Sequence, residues 1–280
     1  TVVKDPEDGL TKCWYEDLGP VDGQGHPWKA RTLYAESEDG VSFRKPELDI
    51  CTVDGRKTNI VMGYAGGAEP NDLNPWADVG VHSAGMVMDP FPASPDERFK
   101  CFFTKTTSEF GKGAPSPRTA HQSPHHTTER AYSPDGIHWK PYRGKAVLGT
   151  SGDRLGDVTT LHYDHDSHQF VLNTRHNVQN VAALPPGTPR VSHWFGPYAP
   201  YRPDLMNKRR VYQSRSQDFL HWTNPIVVSA PDDETDNLDY GHYGMQQFRV
   251  GGIHFATLGI FRYVDNEMDV RLVYSRDGVN

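Results

Sequence analysis

The sequence predicts an all-β fold, a β-propeller of four-stranded antiparallel blades, and two observations carry that reading. Apolar residues show almost no helical periodicity. They come instead in short runs such as KCWY, KCFF, FVLN and IHFATLGIF, bounded by Gly, Pro, Asp or Ser, as strands and their turns are. Two motifs also recur along the 280 residues, and a recurring supersecondary unit in an all-β chain points to radial repetition. The 26 glycines and 22 prolines are spread along the chain, which suits many turns rather than one disordered tract.

Taken in order, the first unit opens with VVKDPEDGLTKCWY (2–15) and closes on YAESEDGVSFRKP (34–46). The second opens with MVMDPFPASPDERFKCFF (86–103) and closes on AYSPDGIHWKP (131–141). The third pairs TLHYDHDSHQFVLN (160–173) with QSRSQDFLHWTNP (213–225), and the fourth MQQFRVGGIHFATLG (245–259) with VYSRDGVN (273–280). Each opening reads as a hairpin. Each closing reads as a strand that ends in a tight turn, Ser-x-Asp-Gly/Phe, followed by an aromatic that packs back on the sheet. In that turn Ser and Asp bond backbone amides and Gly supplies φ > 0. Asp5, Asp89 and Asp164 share one position, the end of the first strand, where an Asx side chain caps the hairpin turn. A residue repeated in three units reads as scaffold rather than as a single-copy catalytic group. Four units are visible in 1–280, which we read as one propeller domain and as part of a longer protein.

Composition excludes several classes of function. The net charge is −7 with acids and bases interspersed, so no basic face is offered to nucleic acid. No apolar stretch is long enough to cross a membrane, and TVVKDPEDG is not a secretion signal. The compartment stays open, with extracellular or periplasmic sites compatible. Cys13, Cys51 and Cys101 have no metal-binding spacing, and their odd number argues against a disulfide framework. They read as small core residues.

Propeller ligand sites lie at the channel mouth, where the innermost strands begin. Counting back seven residues from the turn Asp gives His82 and Asp157, and the fourth unit gives His242 or Tyr243. The second strands return to the same rim and bring Tyr15, Glu16, Lys105, Arg175 and Arg262. Aromatic faces can stack on sugar C–H surfaces while arginines, histidines and acids bond hydroxyls, so the expected ligand is a carbohydrate. His82 with His242 could hold a channel cation such as calcium, though no cofactor is expected. His121, His125 and His126 in AHQSPHHTTER, the alternating HYDHDSH (162–168) and the acidic PDDETDNLD (231–239) read as solvated loops and turns. Trp76, in GGAEPNDLNPWADVG (66–80), is either a sugar platform over the mouth or a residue that packs its own loop.

SQDFLHW and SPDGIHWKP resemble the blade-end signature of five-bladed propeller glycoside hydrolases, the invertase, levansucrase and arabinanase superfamily. YAESEDGVSFRKPELDI…TNIV is similar to a bacterial branch of it. The resemblance implies a five-bladed ring and carboxylates at the inner-strand starts of successive blades. Carried onto this chain, it implies Asp157 and Asp239 as catalytic carboxylates and Glu16 as a third acid. His82 stands where the second blade would carry an acid. The function implied is glycoside hydrolysis of a furanoside or pyranoside by carboxylate acid/base catalysis. The alternatives are a non-catalytic propeller binding a glycan or protein, and a metal-assisted carbohydrate-active enzyme.

Overall fold

The structure, a computed structural model, describes residues 1–19, 29–107, 126–144, 147–148, 158–177, 209–232, 234–237, 239–262 and 264–280. Among these residues there is no α-helix; a short 3-10 turn, Pro95–Glu97, lies between two of the strands. The first blade comprises β1 (Val2–Lys4), β2 (Thr11–Asp17) and β3 (Arg31–Ser37). A side hairpin of β4 (Leu48–Val53) and β5 (Arg56–Thr58) precedes its outer strand β6 (Ile60–Gly63). The second blade runs β7 (Gly80–Met88), β8 (Phe99–Thr106), β9 (His126–Ser133), β10 (Lys140–Pro141). The short β11 (Val147–Leu148) follows, then the third blade, β12 (Thr159–Asp164), β13 (Gln169–Asn177), β14 (Arg209–Ser216), β16 (Ile226–Ser229). Within it β15 (His221–Trp222) pairs in parallel with β11. The fourth sheet has three described strands, β17 (Tyr240–Val250), β18 (Ile253–Arg262) and β19 (Glu267–Ser275). All pairings within the blades are antiparallel, so the predicted propeller blades and all four opening hairpins are present.

The closing motif has one geometry in four copies. Ser37, Ser133, Ser216 and Ser275 donate their hydroxyls to Asp39, Asp135, Asp218 and Asp277 at 2.8–3.1 Å. Each serine oxygen then accepts the amide three residues on, from Gly40, Gly136, Phe219 or Gly278. Each aspartate accepts two further amides, such as those of Ile137 and His138 at Asp135. The fourth residue of the motif is left-handed every time, with φ of 75°, 80°, 63° and 73°. Phe219 accepts that strain because its ring is wholly buried against Phe102, Phe170 and Trp222. The aromatics Trp139 and Trp222 pack inward as expected, whereas Phe43 of the first copy is 41% exposed. There the chain leaves for the β4–β5 hairpin, and the packing expectation fails for that copy.

Among the described residues three apolar clusters join consecutive blades. Trp14, Tyr34, Phe99, Cys101, Phe103 and Trp139 lie between the first and second blades. Phe102, Leu161, Phe170, Leu172, Phe219 and Trp222 join the second and third, and Val211, Met245, Ala256, Leu258 and Ile260 the third and fourth. KCFF therefore lacks polar alternation because β8 is covered on both faces; a strand sandwiched between two sheets reads as a near-continuous apolar run. Cys51 and Cys101 are buried free thiols, and burial raises both their pKa values. Trp76 is buried edge-on to Phe103, which removes it as a sugar platform.

One interface contact makes a sharp prediction. Trp14 Nε1 donates to Gly136 O at 2.6 Å, and a Cβ on Gly136 would overlap the Trp14 ring. Gly40 has the same backbone conformation, but a Cβ there meets nothing nearer than Thr11 Oγ1 at 3.6 Å. Gly40→Ala is expected to cost about 1 kcal/mol of left-handed strain. Gly136→Ala should cost that plus about 1–2 kcal/mol of overpacking. Denaturant unfolding of the two variants measures the difference, and equal losses would mean that Trp14 yields freely.

Candidate functional site

The mouth is assembled by local features of the inner strands. β7, β12 and β17 lie side by side, and Thr160 Oγ1 donates to Met245 O at 2.5 Å across them. Glycine permits the close approach. A Cβ at Gly85 would stand 3.2 Å from Thr159 O, and one at Gly244 would stand 2.7 Å from Val158 Cγ1. Each glycine sits beside a register shift, between His82 and Gly85 in β7 and between His242 and Gly244 in β17. Such bulges bend a strand and re-aim its side chains, and they recur next to active sites.

In β7 the bulge places Ser83 at φ 52°, an uncommon conformation for a residue with a Cβ. Its neighbour His82 turns Nδ1 to Glu16 Oε1 at 2.5 Å, and the Ser83 amide donates to the same oxygen at 3.2 Å. Ser83 Oγ accepts the Thr159 amide at 2.9 Å. One bulged residue thus ties the second strand of the first blade to the inner strands of the second and third. Glu16 and His82, both expected at the rim, are brought together as an acid–imidazole couple.

The other expected residues separate into groups. Arg175 and Tyr243 meet, with the guanidinium 4.3 Å from the ring centroid. Arg209 covers the same ring at 4.6 Å and Phe261 at 4.5 Å. Both arginines are buried. Arg209 lies on the third strand, which the count from the turn Asp does not reach. Arg262 is engaged by Asp265, Glu267 and Asp269 around the β18–β19 turn. Tyr15 accepts from Asn59 at 2.9 Å and lies under Lys45, within the first blade. Lys105 is ion-paired with Glu129. His242 faces a cavity of about 270 Å³ between β16 and the β17–β19 sheet, where Ser229 Oγ stands 2.6 Å from Nδ1. Asp239 is buried at the head of β17. Asp157, His121 and His125 lie outside the described residues. In 231–239, Asp232 closes its own turn through the Glu234 amide and the Thr235 hydroxyl. Among the described residues no group of three or more His, Cys, Asp or Glu is arranged to hold a metal ion. None of their helices is long and apolar enough to cross a membrane.

No protein-family profile and no curated protein sequence matches the chain. Solved structures do. An N-acetylgalactosamine deacetylase from F. plautii, in complex with blood group B trisaccharide, aligns over 98% of this chain and 70% of its own, with 16% identity and a TM-score of 0.51. A protein described as a glycoside hydrolase aligns over 95% and 63%, with 14% identity and a TM-score of 0.53. The α-L-arabinanase of Penicillium chrysogenum, complexed with arabinobiose, aligns over 100% and 62%, with 9% identity and a TM-score of 0.50. The chain thus spans less than two thirds of the length of the last two. At these identities the likeness is one of fold.

Proposed function

We propose that this propeller is a glycoside hydrolase acting on a furanoside or pyranoside at the channel mouth. Two of the three similar structures are described as a glycoside hydrolase and an arabinanase, and two were solved with saccharides bound. The observation that carries the reading is the Glu16–His82 couple, fixed by the left-handed Ser83 where the inner strand of the second blade begins. Asp157 and Asp239 supply the catalytic carboxylates. One protonates the glycosidic oxygen, and the other stabilises the oxocarbenium-like centre or attacks it. A separation of about 5–5.5 Å would give retention and about 6.5–9.5 Å inversion. Glu16 and His82 orient hydroxyls, Tyr243 with Arg175 forms the floor, and Arg262 and Tyr15 take outer positions; His242, turned to Ser229 in the cavity between β16 and the last sheet, is left out of the sugar site. Under this reading the blades belong to a five-bladed ring. Support comes from β19, whose residues Met268, Val270, Leu272 and Tyr274 expose an apolar stripe on one face, as a blade interface requires.

A panel of aryl furanosides and pyranosides tests the proposal. Wild type should release the aryl alcohol from at least one, and a variant carrying both Asp157→Asn and Asp239→Asn should not. Equal turnover by that variant, or a panel left intact, overturns it. A non-catalytic glycan-binding propeller is the second reading, in which the Glu16–His82 couple serves binding alone. Calorimetric binding of the same sugars without turnover would select it.

A further inference from the structure

The cavity between β16 and the last sheet holds a constellation to which the glycosidase reading assigns no role. Ser229 closes β16, and its Oγ is 2.6 Å from His242 Nδ1. On the far side of the ring, His242 Nε2 is 3.9 Å from Asp236 Oδ2. Asp236 is in turn held by Arg271 at 3.2 Å through its other oxygen. All four residues line the cavity of about 270 Å³, whose remaining wall includes Met245, Ala256, Leu258 and Val273. His242 is 6% exposed, so its imidazole works in a medium that favours proton transfer between fixed partners over exchange with water.

A hydroxyl within hydrogen-bond reach of an imidazole, itself faced by a carboxylate, is the arrangement of an activated nucleophile. We infer that Ser229, His242 and Asp236 form a second catalytic site, one that cleaves carboxylic esters with a short apolar acyl group. With the ring proton on Nε2, Nδ1 accepts the Ser229 hydroxyl and Nε2–H points toward Asp236. Ser229 Oγ bonds to the acyl carbon as its proton passes to Nδ1. The tetrahedral adduct then collapses: the bond to the leaving alcohol breaks, and that oxygen takes the proton from Nδ1. Water repeats the sequence on the acyl-serine, releasing the carboxylic acid and restoring the hydroxyl. Asp236 stabilises the imidazolium formed in each half, and Arg271 fixes that carboxylate. The apolar wall receives the acyl chain. The 3.9 Å separation of Nε2 and Asp236 lies beyond a hydrogen bond; catalytic contacts often tighten when substrate binds.

The test treats the intact chain with a fluorophosphonate probe, maps the adduct by peptide mass spectrometry, and follows hydrolysis of p-nitrophenyl butyrate. The expected results are an adduct on Ser229 and a drop in ester hydrolysis of roughly a hundredfold or more in Ser229→Ala and His242→Gln. No adduct on Ser229, or undiminished hydrolysis in Ser229→Ala, overturns the inference. So does a Ser229→Ala variant that only melts earlier while wild type takes up no probe, since the Ser229–His242 bond is then packing alone. Because the adduct is mapped on the unaltered protein, a poorly folding variant does not obscure the outcome.

Discussion

Asp5→Asn is expected to lower the unfolding free energy by about 3–5 kcal/mol, the range for removing one member of a buried ion pair. Asp5 is fully buried at the first hairpin turn, with Lys12 Nζ at 2.7 Å and Arg98 of the next blade at 2.6 Å. Lys12 is itself 3% exposed, so the substitution leaves one buried cation, Lys12, and one partly buried cation, Arg98, with less opposing charge. Lys12 keeps Asp8 and Arg98 keeps Glu7, which moves the loss toward the lower end of the range. The effect also depends on pH. Burial pushes the Asp5 carboxyl upward, but Lys12, the Glu7 amide and Arg98 together hold it below its ordinary value. A folded pKa below the unfolded one stabilises the protein above the unfolded value, and that stabilisation is lost as pH falls toward the folded value. The gap in Tm between wild type and Asp5→Asn should be full at pH 6 and shrink as pH drops below about 4. A gap independent of pH would mean that the lost interaction is not ionic. The turn aspartates add to the same acid sensitivity. Amides and Ser37 hold Asp39 well below the carboxylate range. At Asp135 and Asp218 burial opposes the shift, and bonds from His138 and His221 outweigh it.

The second large effect is catalytic. Asp157→Asn is expected to lower kcat/KM on any aryl glycoside the wild type cleaves by about 10²–10⁴-fold, the usual contribution of a positioned acid or base. Asp239→Asn should fall in the same range. The loss should be concentrated in kcat, because an interaction made in the transition state is being removed. Glu16→Gln should differ. It leaves an acceptor for the Ser83 amide but removes the anion facing His82, so its effect should lie mainly in KM. A single variant at Asp157 with unchanged kcat would take that residue out of the mechanism. Leaving-group pKa adds a second readout. If Asp157 is the acid, poor leaving groups should suffer most in Asp157→Asn.

The blades were legible because their determinants are local and repeated. Every bond of the Ser-x-Asp-Gly/Phe turn spans two or three residues, so four copies of one motif declare the same geometry four times. The hairpin aspartates were legible for the same reason: Asp5, Asp89 and Asp164 each accept an amide two residues on. What a residue faces between blades was much less so. Counting back seven residues assumes an unbroken alternation of side chains. The register shift between His242 and Gly244 breaks it, so the count does not tell which of the neighbours His242 and Tyr243 turns to Ser229 and which to Arg175.

By itself, then, the sequence determined the all-β class, the opening hairpins and the chemistry of the closing turns, because short-range hydrogen bonds and φ preferences are written in adjacent residues. Tertiary structure alone decided the pairings that carry chemistry. Glu16 meets His82 across 66 residues, and Asp5 meets Arg98 across 93. Such partners are chosen by how one sheet packs on the next and by where a bulge turns a side chain. Gly85 and Gly244 beside the two bulges mark a close approach, but nothing in the adjacent residues names the distant partner.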